Sequence, residues 1–222
     1  MSKISPVSRP WFPYVCPFGV FMLLTGLGQV VPSLSWQIYV VKTIITGILL
    51  FHFRKYYKKD LDGCIDLPKA IEAVCAGLLV LATWIFLEDF LPKAGNPTGF
   101  NPAEFSLGPV SEKTVLAIRI LGAALVVPFM EELFWRSFLM RYLVNSNFQA
   151  VRLGTFTWFS FMAVTLLFGL EHYRIIQGIM AGAVFGLLVI KQKHLAGAII
   201  SHAVTNLGLG IYVLTTGSWH LW

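Results

Sequence analysis

Charge is scarce in this chain. Only 13% of its 222 residues are Asp, Glu, Lys or Arg, against about a quarter in a soluble domain, which excludes an ordinary water-facing surface. Acids are the scarcer sign, 11 against 17 bases, for a net charge of +6. That excess does not point to nucleic acid, because it sits in short segments between apolar runs, where cytoplasmic loops of membrane proteins carry it. No nucleic-acid partner is expected. Cysteine is equally sparse. Cys16, Cys64 and Cys75 are odd in number and lack Cys-x-x-Cys spacing, which excludes a disulfide framework and a zinc knuckle. Internal repeats, low-complexity tracts and any stretch fit for a soluble domain are also missing. What remains is 56% hydrophobic, with a mean hydropathy of +0.71. The predicted class is all-α, a polytopic transmembrane helical bundle of about seven to eight spans.

Seven apolar runs carry that expectation, at 14–31, 36–53, 70–87, 114–144, 156–170, 175–190 and 195–215. Lys3 and Arg9 precede the first, which lacks a small-x-small cleavage pattern and reads as a retained span. Lys42 inside the second reads as a snorkelling side chain. Arg54 to Lys59 reads as a basic loop against anionic headgroups. Glu88 to Lys113, with Pro92, Asn96-Pro97 and Asn101-Pro102, reads as the longest outer loop. The fourth run exceeds the roughly 20 residues that a bilayer core requires, so it must tilt, kink near Pro128 or project. Gly178, Gly182 and Gly186 present one smooth face on the sixth. The tail, Gly217 to Trp222, has aromatics suited to an interface. With the amino terminus inside, every basic segment falls on the cytoplasmic side.

Against that apolar background, ionisable side chains at depth are functional candidates. Glu131 and Glu132 interrupt the fourth run. Arg136 lies four residues beyond Glu132 on the same helical face and can hold it ionised, while Glu131 is turned by about 100° and has no local partner. Such a carboxylate is a candidate general base for water. Phe168 and His172 share a face at the end of the fifth run, as do His202 and Asn206 in the seventh. Each pairing alone reads as readily as helix packing. By helix rise, Glu131 lies roughly 21 Å from the inner end, His172 roughly 27 Å and Asn206 roughly 18 Å, so straight helices need not bring them level. The inventory of carboxylates, arginine, histidines and amide nevertheless matches the requirements of hydrolysis.

The order Glu-Glu-x-x-x-Arg, Phe-x-x-x-His, His-x-x-x-Asn, standing here as Glu131-Glu132…Arg136, Phe168…His172 and His202…Asn206, resembles the CPBP family. That family comprises type II CAAX prenyl endopeptidases and related Abi-type and bacteriocin-processing membrane proteins. The resemblance covers the carboxy-terminal half and divides the chain into motif-free helices at 1–110 and a catalytic helical core at 111–216. It implies an intramembrane endopeptidase in which Glu131 and His172 activate water, Glu132 and Arg136 fix the geometry, and His202 and Asn206 donate to the oxyanion. Phe168 would contact substrate. The expected partners are a membrane-anchored or hydrophobic peptide or protein substrate and the lipid bilayer, in a bacterial or archaeal inner or plasma membrane. No cofactor is expected. Zinc is the alternative the family suggests, weighed down by the missing His-Glu-x-x-His spacing and by the cation Arg136 beside any site. The competing functions are a non-catalytic Abi-like immunity or scaffold protein and a proton-coupled transporter. The absence of an inverted-repeat signal counts against the transporter.

Overall fold

The computed structural model describes residues 9–95, 99–105 and 107–222. Lys3 and the Asn96-Pro97 pair of the expected outer loop lie outside the described residues. Seven helices account for most of what is described: α1 (Phe12–Val30), α2 (Ser35–Leu61), α3 (Leu67–Phe86), α4 (109–142), α5 (Trp158–Leu170), α6 (Ile175–Gln192) and α7 (Ala196–Thr216). Their ends follow local chemistry. Asp66 caps α3 by accepting from the Lys69 backbone N–H at 2.9 Å, and Thr157 caps α5 by accepting from that of Ser160 at 3.1 Å. Lys193 at φ 56° and Gly217 at φ 70° end α6 and α7 in the left-handed conformation.

Six of these helices are long and apolar enough to cross a membrane. The expected fifth span is instead α5, only 13 residues long. Its apolar sequence could not reveal this, since composition reports burial in lipid or protein alike. At about 1.5 Å per residue it reaches only about two-thirds of the way across a hydrocarbon core, so the turn after it, with Glu171 and His172, is set inside the bundle.

The expected distortion of α4 near Pro128 takes the form of two π-helical segments, Gly122–Val126 and Leu133–Leu139, on either side of the proline. Proline has no N–H to continue an α ladder, and a widened turn relieves the clash of its ring with the carbonyl four residues back.

Close approaches hold α3 to α7 and α5 to α6. At Gly77 an added Cβ would lie 2.4 Å from the Ser201 carbonyl oxygen, and Thr205 Oγ1 donates to the Gly77 carbonyl at 2.9 Å, so α3 and α7 touch through backbone. The smooth face of α6 meets α5 as expected: Cβ atoms at Gly178, Gly182 and Gly186 would meet Gly169, Phe168 and Phe161 at 3.0, 3.2 and 3.1 Å. An aromatic core including Trp135, Phe138, Phe168 and Phe185 fills the space between.

Two further expectations change. Arg54 to Lys59 is not a loop, because α2 continues through it to Leu61, with Lys58 and Lys59 in the last turn where cations favour the helix dipole. Lys42 does not snorkel. It is buried, donating to Thr25 Oγ1 of α1 at 2.8 Å with its ammonium 4.3 Å from the Phe21 ring centroid. The tail, rather than lying free, packs back on the bundle beside Leu81 and Trp84.

Basic segments gather at one end of the bundle. There Arg141 pairs with Asp60 at 2.9 Å, His194 Nε2 meets the Asp62 carbonyl at 2.8 Å, and Lys193 donates to the Gly154 carbonyl at 2.6 Å. At the other end Arg174 forms a two-pronged pair with Glu88, which also holds Lys93 at 2.7 Å.

Candidate active site

Widened turns flank the short α-helical stretch Val127–Glu132, which turns both glutamates inward, where Glu131 and Glu132 are buried. Glu132 Oε1 accepts from Arg136 Nη1 at 2.8 Å along its own helix and pairs with His202 Nδ1 of α7 at 2.9 Å. Arg136 Nη2 reaches the Gly182 carbonyl of α6 at 3.2 Å, and its guanidinium lies 4.3 Å from the Phe168 ring centroid. One buried ion pair thus ties α4, α5, α6 and α7. Gly182 permits this because it has no side chain where α5 presses on α6.

Glu131 is placed differently. Its Oε2 receives no hydrogen bond from any N–H or O–H among the described residues. His202 Nε2 lies 3.9 Å from it, beyond hydrogen-bond reach. Its other neighbour is a second carboxyl, Glu171, with which it makes hydrogen-bonding contact. Glu171 also accepts from Trp135 Nε1 at 3.1 Å. Two carboxyls that close favour one proton held between them. Burial pushes Glu171, in the turn beyond α5, up to about 7.

Hydrogen bonding assigns the histidine tautomers. His172 Nδ1 lies 2.7 Å from the Phe168 carbonyl oxygen, which can only accept, so Nδ1 carries the proton and Nε2 keeps its lone pair. Burial holds this imidazole down near 4, and it is neutral at pH 7. His202 Nδ1 likewise donates to the Glu132 carboxylate, leaving Nε2 toward Glu131.

A cavity of about 120 Å³ brings Glu131, His172, His202, Asn206 and Phe168 together, with Phe185 and Val80 among its apolar walls. Residues from α4, the turn after α5, and α7 meet there despite their unequal heights. Glu132 and Arg136 are not among its lining residues; they stand behind, touching His202 and Phe168. Asn206 Nδ2 donates to the Ala123 carbonyl at 2.8 Å, a carbonyl within the first π segment. An amide nitrogen has two hydrogens, so one donor remains. Residues 113–208, which contain all of these groups, match the family model described as Rce1-like, type II CAAX prenyl endopeptidase. The chain carries an Rce1-like core. No curated protein and no solved structure matches it. The Rce1-like core is that of a membrane hydrolase of the protease class, and with six span-length helices the chain is a multi-pass integral membrane protein.

Within the Rce1-like core, sequence reasoning passed over Glu171 and Trp135. Glu171 adjoins His172, and a second carboxylate in a turn between apolar helices was the available signal. Trp135 carried none. As for zinc, among the described residues no group of three or more His, Cys, Asp and Glu side chains is placed to hold a metal ion. Two of the four imidazole nitrogens are already committed to Glu132 and to the Phe168 carbonyl. The donor set does not fit the ion.

Proposed function

We propose that this protein is an intramembrane endopeptidase that hydrolyses a peptide bond near a membrane-anchored terminus. The observation that carries the reading is the shared cavity, which gathers a carboxylate, two imidazoles and an amide between apolar walls. Glu131 takes a proton from water as the water oxygen attacks the scissile carbonyl carbon, and His172 Nε2 is the second basic site for that proton. The carbonyl oxygen gains negative charge. His202, as imidazolium against Glu132, and the free N–H of Asn206 face it. The proton then passes to the departing amine as the C–N bond breaks. Glu132 and Arg136 touch no reacting atom. They fix His202 Nδ1 and so the direction of Nε2. Phe168 flanks the substrate from the cavity wall.

No metal is assigned a step, consistent with the donor set described above. Purified protein in detergent is expected to keep cleaving after exhaustive dialysis against a strong chelator, with well under one zinc per chain on the same sample. Stoichiometric zinc, with activity lost on its removal and restored by zinc, overturns this chemistry. The substrate is a hydrophobic or membrane-anchored peptide or protein. Comparing membrane proteomes of cells carrying wild-type protein or Glu131→Gln should reveal a substrate that persists uncut only in the variant. Identical proteomes would refute the peptidase reading and favour a non-catalytic scaffold. The orientation proposed puts the basic end in the cytoplasm, in a bacterial or archaeal inner or plasma membrane. Cysteine labelling should reach position 58 and position 193 from that side alone.

A further inference from the structure

The motif-free helices supply a cavity that the peptidase reading does not use. About 530 Å³ in volume, it lies at the end of the bundle away from the basic segments, between the α1–α2 junction, α4, the 173–174 turn and Trp222. Its charged lining is wholly cationic: Lys42, Arg119 and Arg174. Arg174 is neutralised by Glu88. The other two are not. Among the described residues neither lies within ion-pair distance of a carboxylate.

Aromatic rings hold them instead. The Arg119 guanidinium sits 4.5, 4.3 and 4.7 Å from the ring centroids of Tyr39, Phe100 and Trp222, and the Lys42 ammonium sits 4.9 Å from that same Tyr39 ring. Arg119 Nε has no hydrogen-bond partner. Two cations sharing one ring repel, and ring quadrupoles offset only part of the cost of removing them from water. An anion between them would meet both needs.

Position identifies which anion. A smaller cavity of about 120 Å³ is lined by Tyr39, Arg119 and Trp222, which also line the cationic cavity, and by Asn206 and Leu209, which also line the catalytic one. The three are successive along one path through Arg119 and Asn206. Leu24, Ile38 and Phe105 make the rest of the cationic cavity apolar.

We infer that Lys42 and Arg119 form a carboxylate-binding subsite that receives the anionic end of an apolar peptide whose scissile bond lies in the catalytic cavity. This rests on the peptidase reading. It makes the motif-free half, through Lys42 on α2, a determinant of where the substrate stops.

Fluorescently labelled apolar hexapeptides, one a free acid and one its carboxy-terminal amide, serve as probes, with binding measured by anisotropy on Glu131→Gln protein in detergent. The acid should bind about tenfold tighter than the amide, the scale of a lost charge-assisted hydrogen bond. Lys42→Met together with Arg119→Leu should bring the two within about twofold, while Lys42→Arg keeps the preference. Equal binding of acid and amide before any change at Lys42 or Arg119, which requires no risk to folding, overturns the proposal, as does a preference that survives the double change. Phosphatidylglycerol titrated into the micelles should not displace the acid. Displacement without any preference for acid over amide would assign the cations to a lipid phosphate and also overturn it. A preference without cleavage by wild-type protein would sink the peptidase reading alone, and cleavage indifferent to the terminal carboxylate would sink this one alone.

Discussion

Helix α4 contributes to two buried ionic clusters that differ in one respect. Toward its carboxy-terminal end, Asp60 Oδ2 accepts from Tyr14 at 2.6 Å, Ser137 at 2.7 Å and Arg141 at 2.9 Å, and Arg141 also bonds the Ser137 hydroxyl and carbonyl. None of these side chains has a buried polar atom left over. One to two turns earlier, Glu131 Oε2, Glu132 Oε2 and Arg136 Nε all lack hydrogen-bond partners, and a cavity adjoins them. Native proteins satisfy nearly all buried polar groups, and exceptions gather where chemistry is done. The first cluster is closed and joins α1, α2 and α4. The second keeps hydrogen-bonding capacity open toward a cavity, which a mere clamp has no use for.

The sharpest test of that contrast is Glu131→Gln. It keeps shape and removes basicity, so cleavage should fall by about a thousandfold with little change in melting, measured by product formation and thermal unfolding of the same preparation. Full activity would make the open cluster another clamp. Arg136→Ala tests the part shared by both descriptions. It leaves Glu132 uncompensated in the interior, so stability should drop by about 3–5 kcal/mol and cleavage should fall with it, since His202 loses its fixed partner. A variant that lost activity but melted like wild type would show Arg136 acting on the reaction directly.

Within the closed cluster, Arg141→Lys retains charge but not the planar fork, and a loss of about 1–2 kcal/mol is expected with cleavage per folded molecule unchanged. A large fall in activity there would erase the contrast. The smallest effect concerns Glu171. Its carboxyl is held up near 7, above its ordinary value of 4.5, chiefly by burial. A raised carboxyl binds its proton more tightly when folded, so its contribution is fully present below about 4.5 and disappears as pH rises through 7. Glu171→Gln should therefore gain melting temperature relative to wild type as pH goes from 5 to 8. A gap that narrows over that range would contradict the carboxyl contact with Glu131.

Much of this was legible beforehand because lipid imposes simple rules. Apolar runs marked the helices, and Glu131, Glu132, Arg136, His172, His202 and Asn206 stood out because lipid disfavours such groups. Their meeting in one cavity was not legible, since helix rise separated them and only the shortness of α5 sinks His172 to the common level. Lys42 was misread for a related reason. Its partners, Thr25 and the rings of Phe21 and Tyr39, come largely from another helix, and no pattern along α2 announces them. The end of α2 was misplaced because charge signals an exit from lipid, not from helical geometry.

The two π segments of α4 carry a consequence for how this chain tolerates length changes. A π turn accommodates about one residue more than an α turn, so the helix holds its glutamates at a phase that unbroken α geometry would not produce. Deleting a single residue within Gly122–Val126 could let that turn close as ordinary α-helix without breaking the span. Everything beyond would then rotate by about 100° relative to what precedes it, and Glu131 would leave the chamber while the hydropathy of the segment stayed almost the same. Insertion and deletion, more than substitution, are the changes to which this catalytic geometry is most sensitive.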